Sequence, residues 1–285
     1  MKTAITTIFI VFIIMIYFGA EANAVSQSKD ILEGFNPSIM ASGTLSMPKK
    51  MSSGNYDPSY GFLFSIGGIT PSENKNTISS MSIIFSRDSF VFKEKARSYN
   101  IIDGEKATIS SIHVSSLGHL PVIISKNLIF LPYTGSSNGI SKFSISDVVF
   151  DKLNQSTLTE LKDENDKIQA SNCWKAGAQV SLKDLIPGIK LLSIMYSYDL
   201  MTVEKTWMPW HSIINALIFG TVNGVFDAFG QISPNSSALG LVVLTLKAGT
   251  TALWYNFDYK HHNWPFKDHE PLKYHRESIS ISTAF

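Results

Sequence analysis

The architecture turns on one passage, Ser79-Ser80-Met81-Ser82-Ile83-Ile84-Phe85-Ser86-Arg87-Asp88-Ser89-Phe90-Val91-Phe92-Lys93. Up to Phe85 it mixes small polar and apolar residues. Arg87-Asp88 then reads as a turn, and Ser89 to Lys93 alternates as a return strand would. On that reading the passage is a hairpin of two short strands. Its neighbours extend the theme. Lys106 to Ser115 places Ala107 and Ile109, then Ile112 and Val114, among β-branched residues. Val122-Ile123-Ile124 and Leu128-Ile129-Phe130 follow, and Lys142-Phe143-Ser144-Ile145-Ser146-Asp147-Val148 alternates cleanly. Gly67-Gly68, Thr70-Pro71, Asp103-Gly104 and Gly135-Ser136-Ser137-Asn138-Gly139 supply turn chemistry between them. Short strands punctuated in this way suggest a sandwich or barrel, here taken as a sandwich-like unit, that buries one face and turns serines outward.

Composition divides the chain. Residues 25–150 are serine-rich and hold no tryptophan, whereas Trp174, Trp207, Trp210, Trp254 and Trp264 all lie later. The predicted fold class is therefore mainly β with some helix (α+β). It comprises a β-rich unit over 25–150, a helical connector over 151–172 and a Trp-rich α+β unit over 173–285. The connector rests on Leu153, Leu158, Leu161 and Ile168 at near-helical spacing, with Glu160, Lys162, Asp163, Glu164, Asp166 and Lys167 between them.

Ahead of these units, Met1-Lys2-Thr3 begins an apolar run from Ala4 to Ala20, closed by Ala22-Asn23-Ala24. That is the order of a secretory signal, predicting cleavage near Ala24 and a mature protein, starting at Val25, that is secreted, periplasmic or extracellular. The 285 residues carry 24 basic and 23 acidic side chains and a net charge of +1, which offers no electrostatic footprint for nucleic acid. The single cysteine, Cys173, excludes an internal disulfide framework and reads as a small buried hydrophobe. No Gly-x-Ser-x-Gly, Gly-x-x-x-x-Gly-Lys-Ser/Thr or Gly-x-Gly-x-x-Gly motif is present, which lowers the expectation of an enzyme without removing it.

Two later stretches carry more specific chemistry. Residues 213–229 and 238–246 are strongly apolar, with Gly220 and Gly224 in a close-contact spacing and Trp207, Trp210, Trp254 and Trp264 around them. They read either as core, with Leu241 to Leu246 and Thr251 to Tyr259 pairing as a strand hairpin, or as two apolar helices around Gln231–Ser237 that insert into a membrane over 213–246. His261, His262, His269 and His275, interspersed with Asp268 and Glu270, have the residue types of a zinc or other divalent-metal site. Pro265 and Pro271 deny them a common helix face, and the preferred reading is a polar aromatic loop with no cofactor. The terminal Ser278-Ile279-Ser280-Ile281-Ser282-Thr283-Ala284-Phe285 alternates and ends on an aromatic, as closing strands of bacterial outer-membrane barrels do. The short strands of 79–150 and the helix at 151–170 argue against that architecture, so the expectation is a last strand completing an ordinary sheet.

The leading function is an exported binding or interaction protein of the virulence or surface-recognition kind. Its partner would be a protein or surface ligand outside the cytoplasm. The alternatives are a pore-forming toxin inserting 213–246 and a metal-dependent hydrolase using the cluster at 261–277.

Overall fold

A computed structural model describes residues 32–50, 55–71, 77–93, 106–123, 125, 127–145, 166–203, 242–247, 249, 250, 253 and 272–285. The strands are β1 (Asn36–Lys50), β2 (Asn55–Asp57), β3 (Ser59–Pro71), β4 (Ile78–Lys93), β5 (Lys106–His119), β6 (Val122–Ile123), β7 (Leu128–Ile145), β8 (Ile168–Ile186), β9 (Ile189–Val203) and β10 (Leu272–Ala284). All pairings are antiparallel, in the order β4-β3-β1-β10-β9-β8-β7-β5, and β5 pairs back to β4. Eight long strands thus form a closed barrel, with β2 and β6 as short additions to β4 and β7.

The α+β expectation is overturned. One sheet takes strands from both sides of residue 150, and the described helix is short, at 242–247. The supposed turn at Arg87-Asp88 is the middle of the 16-residue strand β4, running unbroken from Ile78 to Lys93. A charged pair signals a turn only when both faces of the strand reject charge. Here Asp88 points into a polar lumen and Arg87 points outward. The supposed turn at Gly135 to Gly139 likewise lies inside β7. At Gly139 a Cβ would stand 1.9 Å from the Ile112 carbonyl oxygen, so only glycine lets the strands approach this closely. Ile168, assigned to a helix, opens β8, while 151–165 lie outside the described residues. Residues 242–246, a strand in the core reading, are helical, and the helix continues through Lys247, where that reading places a turn.

Register fixes the geometry. A row beginning at Ile78 runs through His119, Tyr133, Gly177, Ser197, Ser278, Thr44 and Gly61. It returns to β4 at Asp88, ten residues along (88 minus 78). That stagger tilts the strands and closes the barrel, and eight strands leave an interior just wide enough for side chains to fill.

The two ends differ. At one end lie Asn36, Ala284 and the connections 72–77, 120–127 and Pro187-Gly188, where Gly188 takes φ of 85°. At the other lie the connections 51–58, 94–105, 146–167 and 204–271. The near end is sealed inside by Leu32, Ile69, Ile78, Ile129, Leu131, Leu191 and Ala284. Toward the long-connection end, Phe90, Ala107, Ile109, Phe143, Met201, Val203 and Tyr274 are fully buried. The change of phase from Ala107 and Ile109 to Ile112 and Val114 comes from this layering. The first pair fills the apolar inner layer, while the second faces out beside an inner surface that has become polar.

Candidate functional site

Between the two apolar layers the lumen is lined by serines. Ser42, Ser65, Ser86, Ser111, Ser115, Ser137, Ser141, Ser171, Ser181, Ser193, Ser197, Ser278, Ser280 and Ser282 are buried. Many bond to one another across strands. Ser141 meets both Ser111 and Ser171 at 2.7 Å, and Ser171 meets His113 Nε2 at 2.7 Å. His113 Nδ1 lies 3.1 Å from Ser137, and Ser197 contacts Ser278 at 2.6 Å. A hydroxyl both donates and accepts, so serines paired in this way satisfy one another without water.

Four charges sit in this layer. The Asp88 carboxylate accepts from Thr44 at 2.9 Å and Ser46 at 2.8 Å through Oδ1. Through Oδ2 it accepts from Tyr274 Oη at 3.2 Å and Arg276 Nη1 at 3.3 Å. Arg276 also donates to Asp199 Oδ2 from Nε at 3.1 Å and Nη2 at 2.8 Å, and Lys175 Nζ reaches the same oxygen at 2.7 Å. Two carboxylates face two cations, all at most 5% exposed, so the cluster is formally neutral. Phe90 covers it with an edge contact to Tyr274, ring centroids 5.3 Å apart. Ser171 and His113 have the residue types of a nucleophile and base, and both are buried in the lumen between the apolar layers.

The outer wall is the reverse of the inner one. Ile39, Phe62, Phe64, Ile66, Met81, Ile83, Phe85, Ile112, Val114, Ile140, Val180, Ile194, Ile279, Ile281 and Phe285 are all exposed, from 38% (Phe64) to 67% (Ile279). They form a band around the barrel. At its upper edge, toward the long connections, charge reappears: Arg87, Glu277 and Lys142 face outward. Beyond the end of β7, the Ser144 hydroxyl at 2.7 Å and the Lys142 ammonium at 3.0 Å hold the Asp166 carboxyl below its ordinary range.

Of the candidate metal ligands and the candidate membrane or binding-surface residues, only His275 is described. It lies on β10, facing outward, with its Nδ1 hydrogen-bonded to the Tyr198 hydroxyl. His261, His262, His269, Asp268 and Glu270 lie outside the described residues, as do Trp207, Trp210, Gly220, Gly224, Trp254 and Trp264 and residues 1–24, where a secretory signal is expected. Among the described residues no group of three His, Cys, Asp or Glu side chains could hold a metal, and no helix is long and apolar enough to cross a membrane. Cys173 is fully buried on the inner face of β8. The sequence reading missed Asp88, Lys175, Asp199 and Arg276. Their one signal was isolation: each is a lone charge at an inward position of an alternating strand.

No family model matches the chain, and no curated protein matches it. Solved structures similar to it include Ail, the attachment invasion locus protein of Yersinia pestis, in complex with the heparin analogue sucrose octasulfate. That likeness has 11% identity and a TM-score of 0.36, covering 89% of this chain and 100% of the other. Neisserial surface protein A is similar at 10% identity and a TM-score of 0.36, covering 89% and 98%. Both scores lie below 0.5, and the role of the barrel is therefore read from its own side chains.

Proposed function

We propose that this chain is a transmembrane β-barrel of a bacterial outer membrane, acting as a surface interaction protein through the long connections at one end. The observation that carries the reading is the inversion of polarity: serines and a charge cluster in the middle of the lumen, and an outer wall on which exposed Ile, Phe, Val and Met predominate. A soluble barrel would expose that girdle to water, at about 25 cal/mol for each Å² of apolar surface. A bilayer removes the penalty, and closure leaves no strand edge unsatisfied within it. Strands of 13 to 19 residues exceed the nine to eleven or so that span a bilayer, so they project beyond it. The start of β1, the end of β10 and the short turns share one side, the long connections the other, an asymmetry typical of outer-membrane barrels. The filled lumen supports binding rather than conduction.

The test is sidedness. In a Cys173→Ser background, Ser156→Cys is placed in a long connection and Asn74→Cys in a short one. A membrane-impermeant maleimide applied to intact cells labels the first and spares the second until the envelope is broken. Equal labelling of both, or recovery of the chain in the soluble fraction, would sink the proposal.

A further inference from the structure

The upper edge of the apolar band is organised on three adjacent strands. Phe85 of β4 pairs with Ile112 of β5, which pairs with Ile140 of β7. These side chains are 42%, 47% and 47% exposed and make an apolar row on the outer wall. One step higher on the same face, Arg87 pairs with Ser110 and Ser110 pairs with Lys142. All three are exposed. A further step up, Ser89 pairs with Thr108 and Thr108 with Ser144. The wall therefore passes from apolar, to cation–hydroxyl–cation, to hydroxyls within two register steps. Phe62, directly opposite Arg87 on β3, is 58% exposed, and Tyr60 beyond it is 77% exposed.

We propose that the row Arg87–Ser110–Lys142 seats the phosphate of a lipid headgroup in the leaflet on the long-connection side. The acyl chains of that lipid lie on Phe85, Ile112 and Ile140. Strand spacing of about 4.8 Å sets Arg87 and Lys142 about 10 Å apart at the backbone, and their long side chains can converge on one anion above Ser110. The guanidinium supplies a planar fork for two phosphate oxygens, the ammonium a point charge and the serine a single donor. Asp166, 3.0 Å from Lys142, competes for that ammonium. Charge complementarity selects a lipid over a soluble anion because the apolar row lies directly beneath the cations, at the depth where headgroup meets chain.

The inference rests on the transmembrane reading, and one experiment separates their failures. The mature chain is reconstituted in phosphatidylcholine vesicles containing a trace of spin-labelled phosphatidic acid or spin-labelled phosphatidylcholine, and the motionally restricted fraction of each label is measured. The wild type should hold phosphatidic acid about fivefold over phosphatidylcholine at low salt, given roughly 1 kcal/mol per surface cation and one cation partly engaged. The double variant Arg87→Gln/Lys142→Gln should lose the preference. Asp166→Asn should raise it by releasing Lys142, and Lys183→Gln/Lys190→Gln, at the other end, should leave it unchanged. Insertion without any preference, or a preference that survives the double variant, overturns the headgroup site and leaves the barrel reading intact. Failure to insert into vesicles overturns both. A preference that a soluble sulfated polysaccharide abolishes would assign the row to a soluble anion and overturn the lipid.

Discussion

Replacing Arg276 with Met removes the one side chain that bridges both buried carboxylates. Arg276 lies 3.3 Å from Asp88 and 2.8 Å from Asp199, and none of the three is more than 2% exposed. At an effective dielectric of about 20, a contact at 3.3 Å carries a gross attraction of about 5 kcal/mol, and one at 2.8 Å about 6 kcal/mol. Desolvation of the guanidinium offsets much of this, and its removal returns that cost. The variant is left with a lumen holding two carboxylates against Lys175 alone, the uncompensated arrangement that typically costs about 3–5 kcal/mol. Asp88 then keeps only hydroxyl donors, from Thr44, Ser46 and Tyr274. The compensating variant Asp88→Asn/Arg276→Met restores neutrality and should recover about half of the loss or more. The assay is urea unfolding of the barrel refolded in lipid vesicles, followed by the gel-mobility difference between folded and heated forms. A loss below about 1 kcal/mol for Arg276→Met, or no recovery in the double variant, would refute the account of the lumen as a charge-balanced interior.

Other outcomes test other layers. Ile279→Arg, at a site 67% exposed, should cost about 2–4 kcal/mol in vesicles if that face meets lipid, whereas an exposed position in water tolerates it within about 0.5 kcal/mol; equilibrium unfolding in vesicles decides between the two. Gly139→Ala should destabilise the barrel by about 1–3 kcal/mol, because the new methyl meets the Ile112 carbonyl in the adjoining strand, and an unchanged urea midpoint would contradict this close approach. In planar bilayers the reconstituted wild type should pass no steady ion current, and a stable open level would show the lumen is not filled. Asp166 has a lowered pKa in the folded chain, so its contacts with Ser144 and Lys142 are present at neutral pH and lost as pH falls through that value. Ser144→Ala should move the titration, read by carbon NMR at Asp166, up toward the ordinary 3.8, and an unmoved midpoint would remove the hydroxyl as the cause.

How far the strands were legible is clearest in β4 and β7. Alternation in 89–93 and 142–145 is plain, and both segments are strand. The parts read as turns, Arg87-Asp88 and Gly135 to Gly139, are strand interior for a shared reason. Turn chemistry rests on polar, charged and glycine residues, and here Asp88, Gly135, Ser137 and Gly139 lie on the inner wall of a polar lumen while Arg87, Ser136 and Asn138 face outward between them. The same inversion hid the candidate site. Serines were expected outside and Ile, Phe and Val inside, and the barrel reverses both. The alternation and final aromatic of 278–285 mark a strand, and β10 is where β9 and β1 meet, but the apparent shortness of the other strands in sequence outweighs the barrel signal. Arg87, Ser110 and Lys142 could not have been grouped, since only register brings three separate strands into one row.

Sequence alone determined local matters here: which segments alternate with period two, and that their two faces differ in polarity. Period two says nothing about which face is inside, because a strand surrounded by water and one surrounded by lipid carry the same alternation with opposite sense. Tertiary structure decided that. Pairing of β4 with β5 closes the sheet, which creates a lumen whose described wall is lined by buried side chains. Only then does Asp88 meet Arg276, 188 residues away, and only with that charge neutralised inside can the Ile and Phe of the same strands face outward.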